Sequence, residues 1–148
     1  MKFMGRKTAV ATILIVGLAI GACEHKMEAK QASLYDRLGG LGPITGVVDK
    51  FVANLAVDNR VNQRFAKSNL SRLKIRLVQQ ICEATGGPCK YQGQPMEIAH
   101  KGMNITEAEF NATGEGLAKA LDESGVPEKE KNELLAAIGS MQPQIVGK

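Results

Sequence analysis

Apolar residues recur at three- and four-residue intervals from Ser33 onward, and this spacing limits the possible folds more than any other feature of the sequence. The clearest run contains Leu70, Leu73, Leu77, Val78 and Ile81, with basic and amide residues between its members. A period of about 3.6 residues is typical of amphipathic helices. Strand-like alternation never extends beyond a few residues. The sequence therefore predicts an all-α fold.

Capping residues, glycines and prolines indicate where six helices begin and end. Four are predicted to be long: Pro43 to about Val57, Leu70 to Ala84, Thr106 to about Asp122, and Pro127 to about Met141. Two are short: Leu34–Leu38, for which Ser33 is the expected N-cap, and Met96–Lys101, which carries His100. Between the first two long helices, a short turn is predicted around Val61 to Phe65. Thr106 followed by Glu109 has the capping-box spacing, and Gly86-Gly87-Pro88 is a strong stop signal.

The first 22 residues differ from the rest of the chain. Lys2, Arg6 and Lys7 precede an uncharged, mostly apolar run that ends in Ile20-Gly21-Ala22-Cys23. A basic start followed by a short apolar stretch is typical of a signal peptide. The ending resembles the lipobox of bacterial lipoproteins, which implies cleavage before Cys23 and lipidation of its thiol. The alternative is an uncleaved membrane anchor with an incidental cysteine.

This interpretation predicts three segments and a location. Residues 1–22 are the signal peptide, 23–32 a polar tether that includes His25, and 33–148 the folded domain. The domain would be lipid-anchored in the cell envelope, facing the periplasm or the outer surface. Without the signal, 16 basic residues stand against 15 acidic ones. The mature charge is therefore close to neutral, which argues against nucleic acid as a partner.

Cys82 and Cys89 lie seven residues apart across the Gly86-Gly87-Pro88 stop. In an oxidising compartment we expect them to form a disulfide, since a chain reversal at the glycines can bring two Cα atoms within the 4.4–6.8 Å that such a bond requires. The alternative is a free buried thiol at Cys82 beside an exposed one at Cys89.

His100 is one of two histidines and has Ile98, Ala99 and Met103 as apolar neighbours. From this spacing alone, an ordinary core histidine and a metal ligand both remain open. No Cys-x-x-Cys-His motif is present, so a covalently attached c-type haem is not predicted.

Seven segments, in order and with matching spacing, resemble the group I truncated haemoglobins. They are Leu34–Gly40, Val48–Phe51, Arg64–Phe65, Ser71–Lys74, Ala84–Pro88, Tyr91–Gly93, and Met96–Gly102 with Ile105–Thr106 directly after it. The resemblance covers roughly residues 33–147. It implies the two-over-two helical sandwich of that family and a non-covalent haem b. His100 falls on the position of the proximal iron ligand.

The resemblance also implies which residues line the haem pocket. They are Phe51, Val52, Phe65, Leu73, Leu77 and Met103. Val52 lies where the family often has tyrosine, and Leu73 and Leu77 occupy inward positions where a glutamine is often found. We therefore expect an apolar distal pocket, unless Arg76 or a water supplies a hydrogen-bond donor. Asn104 lies where the family pattern has glycine, and asparagine tolerates the left-handed conformation better than most residues.

Arg72 and Arg76 are the candidates for binding the haem propionates; the alternative is that they form the solvated face of their helix. The function that we favour is reversible binding of oxygen, nitric oxide or carbon monoxide, of the oxygen carrier or storage kind, rather than an enzyme. The runner-up is a nitric oxide dioxygenase or another haem redox activity, served by an unidentified reductase. A third possibility is a haem-free helical lipoprotein.

Overall fold

Seven α-helices and one 3₁₀ turn form the part of the chain that the computed structural model describes, residues 31–148. The helices are α1 (Leu34–Arg37), α2 (Leu41–Val57), α3 (Asn62–Phe65), α4 (Leu70–Ala84), α5 (Met96–Ala99), α6 (Glu107–Glu123) and α7 (Glu128–Gly139), and the 3₁₀ turn is Gln142–Gln144. No strand occurs among these residues; Ile105 and Val146 form an isolated parallel bridge. The all-α prediction is confirmed.

Side-chain caps explain where several of these helices begin. The Ser33 hydroxyl accepts a hydrogen bond from the Asp36 backbone N–H, and the Asp36 carboxylate accepts one from the Ser33 backbone. Thr106 and Glu109 form the same reciprocal capping box at the start of α6. The Asn69 side chain caps α4. Each cap satisfies backbone N–H groups that have no partner within the helix.

The structure differs from the sequence prediction at three helices. α2 begins at Leu41, two residues before Pro43. Pro43 fits in the first turn of the helix because the N–H that proline lacks would have no partner within the helix there. Residues 62–65, predicted as a turn, complete one helical turn as α3. The 3₁₀ turn at Gln142–Gln144 was not predicted. Short helices of this kind carry too few residues to show a period.

The four long helices pack in two pairs. α2 packs against both α4 and α6, while α6 and α4 each contact α7. The core between the pairs is apolar and includes Val48, Leu117, Leu121 and Leu134. α2 and α6 approach closely at Gly116, where an added Cβ would lie 3.4 Å from Leu55 Cδ2. This arrangement is the predicted two-over-two helical sandwich.

Residues 31–148 form one compact unit. The predicted signal peptide, Cys23 and nearly all of the predicted tether lie outside the described residues. Within the described part of the chain, no helix has both the length and the apolar character needed to cross a membrane.

Candidate functional site

His100 forms the C-cap of α5 and is half-buried. Its Nδ1 lies 2.8 Å from the backbone oxygen of Met96, one helical turn earlier. A carbonyl oxygen can only accept a hydrogen bond, so in the neutral ring Nδ1 carries the proton. The lone pair is then on Nε2, the other ring nitrogen. This tautomer is the one in which a histidine binds a metal through Nε2.

The turn that follows His100 depends on two residues with positive φ. Gly102 has a φ of 79° and Asn104 a φ of 49°. Asn104 is thus in the left-handed conformation that the sequence pattern implied. The Met103 N–H closes the turn by donating to the His100 oxygen at 3.0 Å. The Asn104 N–H donates to the Lys148 oxygen at 2.6 Å, so residues far away in sequence also hold this segment.

A cavity of about 320 Å³ lies between α2, α3 and the start of α4. Seven apolar and three polar residues line it: Val52, Leu55, Ala56, Phe65, Ala66, Leu70 and Leu73, with Asn62, Gln63 and Ser68. None of these ten side chains is an acid or a base. The cavity wall is therefore mainly, though not wholly, apolar.

The structure brings three of the six predicted haem-pocket residues to this cavity. They are Val52, Phe65 and Leu73. Phe51 is buried and faces α6, where its ring lies 3.6 Å from a Cβ built on Gly116. Leu77 is partly buried against the core, and Met103 is 47% exposed. For all six residues, a role in the haem pocket stays a prediction.

The prediction of an apolar distal pocket needs one addition. Val52 and Leu73 present no hydrogen-bond donor, as expected. Asn62, Gln63 and Ser68, however, add polar groups on the side of the cavity formed by α3 and the segment after it. The sequence does not predict them, because a turn, unlike a helix, has no face that is expected to point inward.

The two candidate propionate ligands differ in their surroundings. Arg72 is exposed. Arg76 is half-buried and donates from NH1 to Gln79 Oε1 at 2.9 Å. Burial raises the pKa of Tyr91, while the nearby charge of Arg76 opposes that shift. Arg76 and Tyr91 thus lie near each other, and a guanidinium and a phenol can both donate to a carboxylate.

Cys82 and Cys89 are joined by a disulfide in the structure, with their Cα atoms 5.7 Å apart. Cys82 is fully buried in the last turns of α4. Only glycine fits at position 87 in this chain reversal. A Cβ there would clash, since it would lie 2.5 Å from the Tyr35 ring and 2.7 Å from Cys82 Sγ. The bond attaches the segment that leads to α5 to the end of α4.

The Met96 carbonyl is the part of the site that sequence analysis did not find. A backbone oxygen leaves no trace in residue identity. The available signal was the spacing, since Met96 lies four residues before His100 on a predicted helix. For Arg64, the sequence offers only its place in a matching segment.

The two-over-two helices, together with one imidazole at the end of a short helix, define a small helical globin. Residues 33–146 match the family model described as bacterial-like globin. A group 1 truncated hemoglobin from Mycolicibacterium paratuberculosis is 37% identical over 118 residues, which are 80% of this chain and 87% of that protein. A group 1 truncated hemoglobin from Tetrahymena thermophila is 31% identical, over 80% of this chain and 98% of its own length.

Solved structures agree with these matches. The truncated hemoglobin from Tetrahymena pyriformis in its Fe(III) form superimposes with a TM-score of 0.77 at 31% identity, covering 79% of this chain and all of that one. The 2/2 hemoglobin from Synechococcus gives 0.71 at 30% identity, covering 76% and 95%. The chain therefore belongs to the bacterial-like globin family and, within it, to the group 1 truncated haemoglobins.

Proteins of this family bind haem b, and haem b is the cofactor of this chain. The residues present fit that group. His100 offers an unprotonated Nε2 as a ligand, Val52, Phe65 and Leu73 offer apolar surface, and Arg76 offers a cation for a propionate. These are the kinds of group that hold a non-covalent haem.

Proposed function

We propose that this chain is an oxygen-binding haem protein of the carrier or storage kind, with His100 as the proximal ligand. The observation that carries the proposal is the 2.8 Å contact between His100 Nδ1 and the Met96 oxygen. That contact selects the tautomer with a free Nε2 and fixes the direction of the ring. A metal-bound histidine almost always donates its second ring N–H in this way.

When bound, haem supplies an iron whose sixth coordination position can take a diatomic gas. The chain's own residues do the rest. His100 would hold the iron through Nε2, and the Met96 carbonyl keeps the ring from rotating. Val52 and Leu73 present hydrocarbon to the cavity and disfavour water there. These are the requirements of a site that binds a small apolar gas and releases it unchanged.

The composition of the cavity favours reversible binding over turnover. Among the residues that the structure describes, no acid or base lines the cavity wall. Redox chemistry on peroxide or oxygen commonly uses such a group to move protons. Asn62, Gln63 and Ser68 can donate hydrogen bonds but do not act as acids or bases near neutral pH. This supports a carrier more than a peroxidase.

The first test is an absorption spectrum of the full-length chain, expressed with a haem precursor, in its ferric, reduced and carbon monoxide forms. We expect a sharp Soret band that shifts on reduction and again on carbon monoxide. His100→Ala should lose most bound haem, and His25→Ala is the matched control, since it removes the other histidine. A haem spectrum in His100→Ala that equals the wild type would contradict the ligand assignment.

A second measurement separates the carrier from the dioxygenase. Oxygenated protein is mixed with nitric oxide in the presence of a reductant, and the rate of consumption is followed over many turnovers. We expect no sustained turnover above that of free haem, together with a reversible oxygen spectrum. Sustained consumption well above free haem would favour the dioxygenase instead.

We also propose that the domain works in the cell envelope, attached by lipid at Cys23. Two observations support this location. The first 22 residues have the pattern of a lipoprotein signal, and Cys82 and Cys89 are paired, as is usual for proteins of oxidising compartments. The test is incorporation of labelled palmitate during bacterial expression, with Cys23→Ser as the control. Equal labelling of both, or of neither, would contradict lipidation at Cys23.

A further inference from the structure

Arg64 lies on α3, next to the cavity residue Phe65, and its guanidinium makes three directed contacts. Nε donates to Glu109 Oε1 at 2.7 Å, and NH2 donates to Glu109 Oε2 at 3.0 Å. The remaining terminal nitrogen, NH1, donates to the backbone oxygen of Met103 at 3.0 Å. Arg64 therefore links α3 to the turn at Met103 and to the start of α6, which lie 39 and 45 residues further along the chain.

The Met103 contact matters because of what Met103 does in the turn. Its N–H donates to the His100 oxygen, so its peptide groups lie within the loop that follows the proximal ligand. Gly102 and Asn104, on either side, both have positive φ. The turn has one backbone hydrogen bond of its own, from the Met103 N–H to the His100 oxygen, and residues outside it, such as Lys148, supply the rest. An outside donor to its central carbonyl therefore restricts its position.

Glu109 extends the same network into α6. Its Oε2 also accepts hydrogen bonds from the Thr106 N–H and hydroxyl, both at 2.9 Å. Arg64 thus holds the His100 turn at Met103, and through Glu109 it holds the residues where that turn joins α6. Both ends of the segment 103–106 are fixed to α3.

We propose that Arg64 is a positioning residue that couples the α3 wall of the cavity to the turn carrying the proximal histidine. The inference rests on the proposed function, since it concerns the orientation of His100 toward iron. A displacement of α3, for instance when the cavity is filled, is transmitted through a rigid guanidinium to Met103. Arg64 would thereby influence the strength of the bond from His100 to iron through the backbone of the turn.

The chemistry of arginine suits this role. Its planar fork holds Glu109 with two bonds while a third N–H points elsewhere, which a single ammonium group on a flexible stem cannot reproduce. Arg60 offers a matched control a few residues earlier. It joins Asp58 to Glu115 on α6 through the same kind of ion pairs. Within the described part of the chain, Arg60 makes no hydrogen bond to residues 100–106.

The experiment compares the full-length, haem-loaded wild type with Arg64→Gln, Arg64→Lys and Arg60→Gln. The first readout is the iron–histidine stretching band in the reduced, unliganded protein. We expect Arg64→Gln to shift or broaden this band, Arg64→Lys to do so less, and Arg60→Gln to leave it as in the wild type. The second readout is hydrogen exchange of residues 100–106 in the carbon monoxide form, which should accelerate only in the Arg64 variants.

The outcomes distinguish this inference from the proposed function. A wild type without haem bands would refute the function itself. Haem-loaded Arg64 variants with the same band and the same exchange as Arg60→Gln would refute the role of Arg64 alone. If Arg64→Gln does not accumulate as folded protein, the test is made with Arg64→Lys. That variant retains the positive charge but loses the planar guanidinium that contacts Glu109 and Met103 together.

Discussion

Val52 is one of three apolar residues of α2 that line the cavity, with Leu55 and Ala56. It is 4% exposed and lines the 320 Å³ cavity, so a larger side chain has space to enter. We expect Val52→Tyr to place a hydroxyl donor in the cavity and to slow oxygen dissociation. A hydrogen bond to a partly charged partner is worth about 1.5–3 kcal/mol, which corresponds to roughly a 10- to 150-fold slower release.

The measurement is stopped-flow release of oxygen from the haem-loaded variant. Val52→Phe is the control, because it fills a similar volume without the hydroxyl. An oxygen off-rate in Val52→Tyr within a factor of two of the phenylalanine variant would mean that the polar residues of the cavity already supply the donor.

The start of α6 depends on an ion pair whose strength varies with pH. The hydrogen bonds from Arg64 and Thr106 hold the pKa of Glu109 at about 2, below the ordinary 4.5. A carboxyl whose folded-state pKa is depressed binds its proton first in the unfolded state as the pH falls. Its contribution to stability is therefore complete above about pH 4.5 and is lost as the pH falls toward about 2.

We accordingly expect Glu109→Gln to be less stable than the wild type at neutral pH and less sensitive to acid between pH 4.5 and 2. The measurement is the free energy of unfolding as a function of pH. Glu107→Gln, on the same turn of α6, leaves the Arg64 pair intact and should retain the wild-type acid dependence. Parallel pH curves for wild type and Glu109→Gln would contradict the assigned pKa.

The end of α4 is held by a covalent bond as well as by packing. The disulfide between Cys82 and Cys89 closes a loop of eight residues, which in the chain-entropy model stabilises the fold by about 2.5 kcal/mol. We expect a mild reductant to lower the free energy of unfolding by about this amount. The double variant Cys82→Ala, Cys89→Ala should show no response to reductant, and an equal response in both proteins would contradict the proposal.

At this scale the sequence predicted the helices well where a cap and a period coincided. α4 has the predicted bounds, Leu70 to Ala84, because Asn69 caps it and the double glycine ends it. α3 was not predicted because four residues cannot display a period. The polar side of the cavity, which α3 helps to form, was therefore not predicted either. The assignment of His100 as the proximal ligand comes from matching segments and stays a prediction. The Met96 oxygen and the Arg64 network could not, since both depend on the three-dimensional path of the backbone.

For the whole molecule, haem is expected to act as part of the core. A ligand that binds only the folded state raises its stability in proportion to the logarithm of ligand concentration over Kd. We expect the melting temperature of the full-length chain to rise on loading with haem, and His100→Ala to lose most of that rise. Differential scanning calorimetry with and without haem measures both. An equal rise in His100→Ala would mean that apolar contacts rather than the axial bond dominate the affinity.

The bridge between Ile105 and Val146 bears on when the protein can mature. The peptide groups after His100 find partners in Gly147 and Lys148, through the pairs Gly147 N to Ile105 O and Asn104 N to Lys148 O. Those partners are synthesised more than forty residues after the histidine. The loop that holds His100 therefore lacks these backbone partners until residues 147 and 148 have been made and have folded back onto it, so completion of the proposed haem site waits for a late part of the chain.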